Sequence, residues 1–290
     1  MDLCNMKTIR DVMSIFHLTA KKEYGQNFLT DPCVVADIAD SAYGSDTVLE
    51  IGPGLGVLTR ELSSRYKKVI ALEIDEKLLP VLRYTLNDCG NVTVINDDVM
   101  KADLESILAE DLKQGKVSVC ANLPYYITSP ILMKLLESEL PFDSVTVMVQ
   151  KEVAERLCAG AGGKDCGAIT VAVAYRGEAE MLFTVPADRF FPAPKVDSAV
   201  VRIKLYREKP IVPDDEDTFF ATVRAAFSQR RKTLLNSLST GFSHIEKERL
   251  AEFIAKLGLR PDIRGEKLTV AEFAALSNLI FAENNTEKSK

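Results

Sequence analysis

The tetrapeptide Asn122-Leu123-Pro124-Tyr125 follows an apolar run and combines residue types that can bind a planar ring bearing an amino group, such as adenine. The Asn122 side-chain oxygen and the Leu123 carbonyl can accept the two N–H bonds of the amine, which draws its nitrogen toward a tetrahedral form with a free lone pair. Positioning of this kind replaces strong base catalysis. Pro124 stiffens the loop, and Tyr125 offers a ring for stacking. The plainer interpretation, a strand followed by an Asn-Pro turn, explains only the proline.

A glycine turn lies earlier in the chain, where the apolar run 48–51 leads into a predicted helix. Its residues Gly52, Gly54 and Gly56 lack a Cβ, so the backbone can approach a ligand closely. Proteins that bind nicotinamide or flavin dinucleotides share this geometry, and a purely structural turn is also common. The turn alone therefore predicts a close ligand and leaves its identity open.

Two acidic residues end the next two predicted strands. Glu73 follows the glycine turn by roughly 20 residues, where a carboxylate can accept both ribose hydroxyls of an adenosine-containing cofactor. Asp98 lies just after the third strand, at its carboxyl end, where its side chain could accept from the adenine amino group, and we assign Val99 to the same pocket. Because ligands of open α/β sheets bind at the carboxyl ends of the strands, the three strand ends together predict an adenosine pocket.

A base within a double helix cannot reach such a pocket, so its target would be flipped out or single-stranded. Phe190 and Phe191 lie in a proline-containing segment, 183–198, which is predicted to be an ordered loop. Either ring could cover the face of the base opposite Tyr125. Core packing is the alternative for Phe190, and we select Phe191.

Composition narrows the function classes. Hydrophobic residues make up 47% of the 290 residues and charged residues 27%, which are ordinary globular values. The chain shows no apolar run of membrane-spanning length and no secretory signal, so we expect a cytoplasmic protein. Its six cysteines form no CxxC pair and its two histidines lie far apart, which argues against a metal site or a histidine triad.

A net charge of −6 disfavours nucleic-acid binding unless local basic patches supply it. Two such patches are present, and a solvated surface is the plain interpretation of each. They comprise Arg202, Lys204 and Arg207 in one, and Arg230, Arg231 and Lys232 in the other.

Short β-branched runs alternate with helical stretches in the first two thirds of the chain, which predicts a parallel sheet of βαβ units. The predicted strands are 48–51, 69–74, 92–95, 117–121, 144–149, 168–175 and 199–205. The later pattern is helical, at 217–227, 231–237, 246–257 and 270–282, followed by a frayed tail 283–290. We expect an N-terminal extension (1–20), a mostly parallel seven-stranded α/β domain (21–206) and a small all-α domain (207–290).

Taken in order along nearly the whole chain, these segments resemble the ribosomal RNA adenine dimethyltransferase family, the kasugamycin-resistance type. The resemblance begins at residue 24 and includes the glycine turn and the Asn122 loop. It also includes Tyr24-Gly25-Gln26-Asn27-Phe28-Leu29, Phe191-Pro192-Ala193-Pro194-Lys195-Val196-Asp197-Ser198, Phe227-Ser228-Gln229-Arg230-Arg231-Lys232-Thr233, Leu259-Arg260-Pro261 and Leu268-Thr269-Val270.

The resemblance implies a Rossmann-like class I methyltransferase that takes two adjacent adenosines, near the 3′ end of 16S rRNA in the immature small subunit, to N6,N6-dimethyladenosine. S-adenosylmethionine would be the cofactor, with no metal, and the enzyme would be a monomer. Tyr125 and Phe191 would sandwich the base, and the Arg230-Arg231-Lys232 patch would contact phosphate. The cofactor would be held by Gln26, Asn27, Leu29, Gly52, Gly54, Glu73, Asp98, Val99 and Asn122.

Three other functions stay open at this level. A large-subunit adenine methyltransferase that confers macrolide resistance shares the fold and the target loop. An NAD-dependent oxidoreductase would explain the glycine turn and Glu73 but not the Asn122 loop. A non-catalytic RNA-binding or assembly factor could retain the fold.

Overall fold

The computed structural model describes residues 1–18, 27–42, 44–229 and 231–288. Its strands are β1 (Phe28–Leu29), β2 (Thr47–Ile51), β3 (Lys68–Glu73), β4 (Val92–Asn96), β5 (Val117–Asn122), β6 (Phe142–Gln150), β7 (Gly177–Val185), β8 (Phe190–Phe191) and β9 (Ser198–Leu205). Its helices are α1 (Met6–Ile15), α2 (Pro32–Ser41), α3 (Val57–Arg65), α4 (Leu79–Thr85), α5 (Leu104–Gln114), α6 (Thr128–Glu137), α7 (Lys151–Cys158), α8 (Ala168–Arg176), α9 (Glu216–Phe227), α10 (Leu234–Gly241), α11 (Lys247–Lys256) and α12 (Val270–Lys288).

A seven-stranded sheet in the order β4-β3-β2-β5-β6-β9-β7 confirms the predicted mostly parallel α/β architecture. Strands β2 to β6 pair in parallel with their neighbours, and β9 runs antiparallel to β6. Every residue of β2 is buried, as expected for a central strand covered on both faces. Parallel pairing places the carboxyl ends of β2, β3 and β5 at one edge of the sheet.

A second, two-stranded sheet joins distant parts of the chain. In it Phe28 of β1 lies opposite Phe191 of β8, and Leu29 lies opposite Phe190. Phe190 is buried in the core, so the packing alternative considered for it is confirmed. The segment 183–198 is therefore partly strand rather than wholly loop.

The predicted strand 168–175 is wrong, because this segment forms helix α8. Nearly every side chain of this apolar run is buried, so the periodicity of its sequence cannot show whether the run is a buried helix or a buried strand. Tyr175 packs against Phe219, with ring centroids 4.4 Å apart. The edge strand β7 follows instead, in a sequence whose alternating glutamates we did not interpret as a strand.

By internal packing the chain divides into two compact units, Met1–Glu155 with Ala179–Leu205, and Arg156–Glu178 with Tyr206–Lys290. The second is helical except for the start of β7, and it includes a segment that the sequence placed in the α/β part. The predicted domain bounds, 1–20, 21–206 and 207–290, concern parts of the chain that fold separately, and they stay a prediction.

Helices α10 and α12 of the helical unit differ most from their predicted bounds, and both extend further along the chain than predicted. Helix α10 begins later than predicted, because Thr233 caps it by accepting from the Asn236 amide at 3.4 Å. Helix α12 continues beyond the predicted end at 282, so the predicted fraying is wrong for 283–288, and 289–290 lie outside the described residues. The Glu283 carboxylate pairs with Arg249 of α11 at 3.0 Å, which holds this part of the helix. Within the described residues, we find no helix that could span a membrane.

Candidate active site

A cleft of about 840 Å³, including its open mouth, lies at the carboxyl ends of β2, β3 and β5. Open α/β sheets bind their ligands at this edge. Most of the residues predicted for the site line this cleft together. The lining consists of Asn27, Phe28, Leu29, Glu50, Gly52, Pro53, Gly54, Leu55, Val57, Leu58, Glu73, Ile74, Leu78, Asn122, Leu123, Pro124, Tyr125 and Tyr126.

The glycine turn forms one wall of the cleft. Gly52, Gly54 and Gly56 all have positive φ, at 71°, 60° and 87°, which residues with a Cβ rarely adopt. No described atom lies within 4 Å of the position that a Cβ on Gly52 would take, so this wall leaves space for a ligand. A Cβ on Gly54 would lie 3.3 Å from the Phe28 ring, so the lack of a side chain also permits this packing.

Glu73 ends β3 on the cleft wall and fastens the turn. Its Oε2 accepts the Gly54 amide at 3.3 Å, and its Oε1 accepts the Asp75 amide at 2.8 Å. The residue is only 4% exposed. Burial raises the pKa of this carboxyl, and the two amides oppose the rise by stabilising the charged form. Each oxygen keeps a further lone pair for a ligand hydroxyl.

Glu50 is a cleft residue that the sequence analysis missed. It lies in β2 two residues before Gly52 and is 1% exposed. Among the described residues its Oε2 has no hydrogen-bond partner. Burial raises the pKa of this carboxyl to about 8, and the Glu73 carboxylate adds to the rise. The sequence did contain a signal for this residue, namely a charged side chain within an otherwise apolar strand. Charged side chains are rarely buried without a partner.

Asn122 ends β5 and lines the same cleft as the glycine turn. Its Nδ2 donates to the Asn27 carbonyl at 3.3 Å, which fixes the amide plane and leaves Oδ1 as the acceptor end. Leu123 is buried, and its amide donates to the Met148 carbonyl at 3.2 Å. These bonds position both residues of the predicted target loop.

The rest of the loop is rigid as well. The Pro124 carbonyl accepts from the Ile127 amide at 3.2 Å and from the Thr128 hydroxyl at 3.0 Å. The Tyr125 hydroxyl lies 2.6 Å from Ser198 Oγ, and burial raises its pKa. Tyr126, which the sequence analysis did not select, lines the mouth and is 58% exposed.

Other predicted site residues lie outside the cleft lining. Asp98 accepts the Met100 amide at 2.9 Å and lies 3.8 Å from the Lys101 ammonium group, so its carboxylate is engaged within its own loop. Val99 is buried beside it. Phe191 does not line the cleft, although its partner Phe28 does.

The side chains of the two predicted basic patches differ in their surroundings. Arg231 and Lys232 are exposed in the turn before α10 of the helical unit. Arg202 pairs with Glu180 at 3.0 Å, so part of the other patch is neutralised. Gln26 and Arg230 lie outside the described residues.

Across 1–18, 27–42, 44–229 and 231–288 we find no group of three His, Cys, Asp or Glu side chains suited to a metal ion.

Comparison with known proteins gives a consistent result. The model of a family described as ribosomal RNA adenine dimethylase matches residues 17–281. Relatives from Bacillus cereus (strain AH187) and Bacillus anthracis (strain A0248), both named ribosomal RNA small subunit methyltransferase A, are 48% identical over 285 residues. The alignments cover 96% of this chain and 97% of each relative.

Two solved structures are similar over most of the chain, each at 26% identity. A dimethyladenosine transferase from Plasmodium falciparum has a TM-score of 0.68 and covers 90% of this chain and 98% of its own. The 23S rRNA methyltransferase ErmE has a TM-score of 0.60 and covers 88% of this chain and 100% of its own. With the family match spanning the sheet, the cleft and most of the helical unit, the chain belongs to the ribosomal RNA adenine dimethylase family.

Proposed function

We propose that this enzyme transfers methyl groups from S-adenosylmethionine to N6 of two adjacent adenosines in a hairpin near the 3′ end of 16S rRNA. The observation that carries the proposal is that the Asn122 loop lines one cleft together with the glycine turn and Glu73. Family membership leaves the NAD-dependent oxidoreductase without support. The names of the 48% identical relatives favour the small subunit as substrate.

The cleft fits an adenosine cofactor with a cationic tail. The open space at Gly52 admits a ligand against the backbone, and Glu73 has lone pairs for ribose hydroxyls. The unpartnered Oε2 of Glu50 suits an ammonium group, because a buried carboxyl oxygen without a donor is costly. When bound, S-adenosylmethionine supplies the electrophilic methyl group. Asn27, Leu29 and Asn122 also line the cleft, and Gln26, Asp98 and Val99 stay proposals from the family resemblance.

The target adenine is activated by position. Asn122 Oδ1 and the Leu123 carbonyl accept the two N–H bonds of the amine, which frees its lone pair for the methyl group. Nδ2 of Asn122 is held by Asn27, so Oδ1 needs no reorientation to accept. Tyr125 stacks on one face of the base and Phe191 on the other.

The substrate is the immature small subunit, bound by a cytoplasmic monomer. Arg231 and Lys232 are exposed and, with Arg230, contact rRNA phosphates. They supply positive charge that the chain as a whole lacks, since its net charge is −6.

The similarity to ErmE makes the large subunit the second candidate substrate. We expect purified enzyme and labelled cofactor to give dimethyladenosine in small subunits from a strain that lacks this protein, and none in large subunits. Mass analysis of nucleosides, with position mapping by primer extension, measures both. Label only in large-subunit RNA would favour the second candidate, and cofactor and subunit binding without any transfer would favour an assembly factor.

Asn122→Ala should lower single-turnover methyl transfer by at least about 100-fold at saturating cofactor, as loss of a positioned polar group in a preorganised site does. The fold should persist, because Asn122 ends a strand and its side chain is only partly buried. Rapid-quench transfer assays and circular dichroism measure the two effects. Transfer at the wild-type rate would remove Asn122 from its assigned role.

Glu73→Ala should weaken cofactor binding about 10- to 100-fold, the range for loss of a hydrogen bond to a charged group. The Gly54 and Asp75 amides lose their acceptor in the same variant, which adds to the effect. Calorimetric titration with S-adenosylmethionine measures the affinity. Glu61→Ala is the control, since that glutamate lies on the exposed side of α3 in a pair with Arg65. Equal losses in both variants would contradict a ribose contact.

Glu50→Gln should flatten the pH dependence of stability in the cofactor-free protein. With a folded pKa of about 8 against an ordinary value of 4.5, Glu50 holds its proton in the folded state and releases it on unfolding. Its contribution is therefore complete below about pH 4.5 and is lost as pH rises toward 8, by up to ~1.4 kcal/mol per pH unit.

Urea unfolding at pH 5, 6.5 and 8 measures this slope. Glu61→Gln, on the exposed side of α3, should keep the wild-type slope. Parallel curves for wild type and Glu50→Gln would show that Glu50 is ionised in the free protein.

A further inference from the structure

Helix α1 is built into the core of the α/β unit. Ile9 and Val12 are almost completely buried in the same cluster as Phe28 and Phe190. Asn5 caps the helix by accepting from the Lys7 amide at 2.9 Å. The segment that the sequence analysis set aside as an extension therefore holds a fixed position beside the β1–β8 sheet.

This position sets Arg10 over an aromatic ring of the proposed target site. Its guanidinium carbon lies 5.7 Å from the centroid of the Phe191 ring, within the range of a cation–π contact. The Arg10 residue is exposed, and a guanidinium that uses its face on a ring keeps the N–H donors along its edges for another partner. Since Arg10 lies over one face of Phe191, the proposed stacking of a base would use the other face.

The charges nearby make Arg10 suited to an anion. Arg189, which precedes the β8 strand, lies 3.0 Å from Asp31 and 3.4 Å from Asp188, so two carboxylates already engage it. A nucleotide whose base stacks on Phe191 brings its phosphate close to that ring. Arginine edges match phosphate oxygens in a bidentate manner.

We propose that Arg10 binds the phosphate backbone of the RNA at the target nucleotide, and that α1 is thereby part of the substrate-binding surface. This proposal rests on the proposed function, because it takes Phe191 as a stacking partner of the base. Arg10 acts on the binding of RNA and has no role in the chemical step.

Loss of one phosphate contact changes the salt dependence of RNA binding, whereas loss of a packing contact leaves this salt dependence unchanged. In Arg10→Ala, the slope of log affinity against log salt concentration should become shallower by about 0.7 to 0.9. KM for the small subunit should rise at least about fivefold, with kcat close to that of wild type, as loss of a contact that binds substrate and transition state equally does. Arg10→Lys should restore most of the slope and only part of KM, since an ammonium group keeps the charge without the planar fork.

The experiment uses the full-length protein with purified small subunits, in filter binding at 50 to 300 mM KCl and in steady-state methyl transfer. Lys113→Ala is the control, because this lysine of α5 is exposed and pairs with Glu110. Its slope and KM should match wild type. Thermal unfolding of each variant reports on packing of α1.

An unchanged salt slope in Arg10→Ala would overturn the proposal, with or without a lower melting temperature. A slope change of equal size in Lys113→Ala would overturn it too, because the effect would then reflect net charge. If the proposed function itself is wrong, the result is different: the wild-type enzyme transfers no methyl group to small subunits.

Discussion

The hydrogen bond from the Gly54 amide to Glu73 joins the two strand ends on which the cleft is built. The carboxylate that accepts it is buried, and it persists there because backbone amides satisfy it. Parallel pairing of β2 with β3 brings turn and carboxylate to the same edge. Together with the bond from the Gly52 amide to the Leu72 carbonyl at 2.9 Å, it anchors on β3 a turn that has three positive φ angles.

The target side depends on a similar connection between distant segments. Asn122 donates to Asn27, which directly precedes β1, and β1 pairs with β8 at Phe191. The Phe28 ring then packs against Gly54 of the turn. The short segment 27–29 thus contacts the residue proposed to bind the amine, the proposed stacking residue and the glycine turn, so small shifts of this segment would disturb all three.

The sequence predicts the sheet and the cleft well, because both follow from local patterns. Apolar runs and glycines specify strand ends, and parallel strands align these ends at one edge. Helix α8 could not be predicted in this way, since a fully buried run has no face to reveal its period. Asp98 was assigned to the site by strand position alone; its carboxylate accepts the Met100 amide of its own loop, and its part in the site stays a prediction.

Contacts between segments that are far apart in the sequence could not be predicted from local sequence patterns either. The place of α1 in the core depends on packing against β1 and β8, which no short-range signal encodes. Glu50 was visible as a charge within an apolar strand, but its unpartnered oxygen appears only when the neighbouring strands are assembled. The role of such residues is decided by tertiary structure.

The two ligands of the proposed reaction carry opposite charges, and the protein separates the residues that bind them. Glu50 and Glu73 line the interior of the cleft, where a cationic cofactor would favour the ionised form of each carboxyl and so oppose the rise of its pKa. Arginine and lysine side chains that can contact RNA are exposed: Arg10 lies beside Phe191, and Arg231 and Lys232 lie in the helical unit. An acidic protein can therefore bind RNA, because its affinity depends on where the cations are placed rather than on net charge.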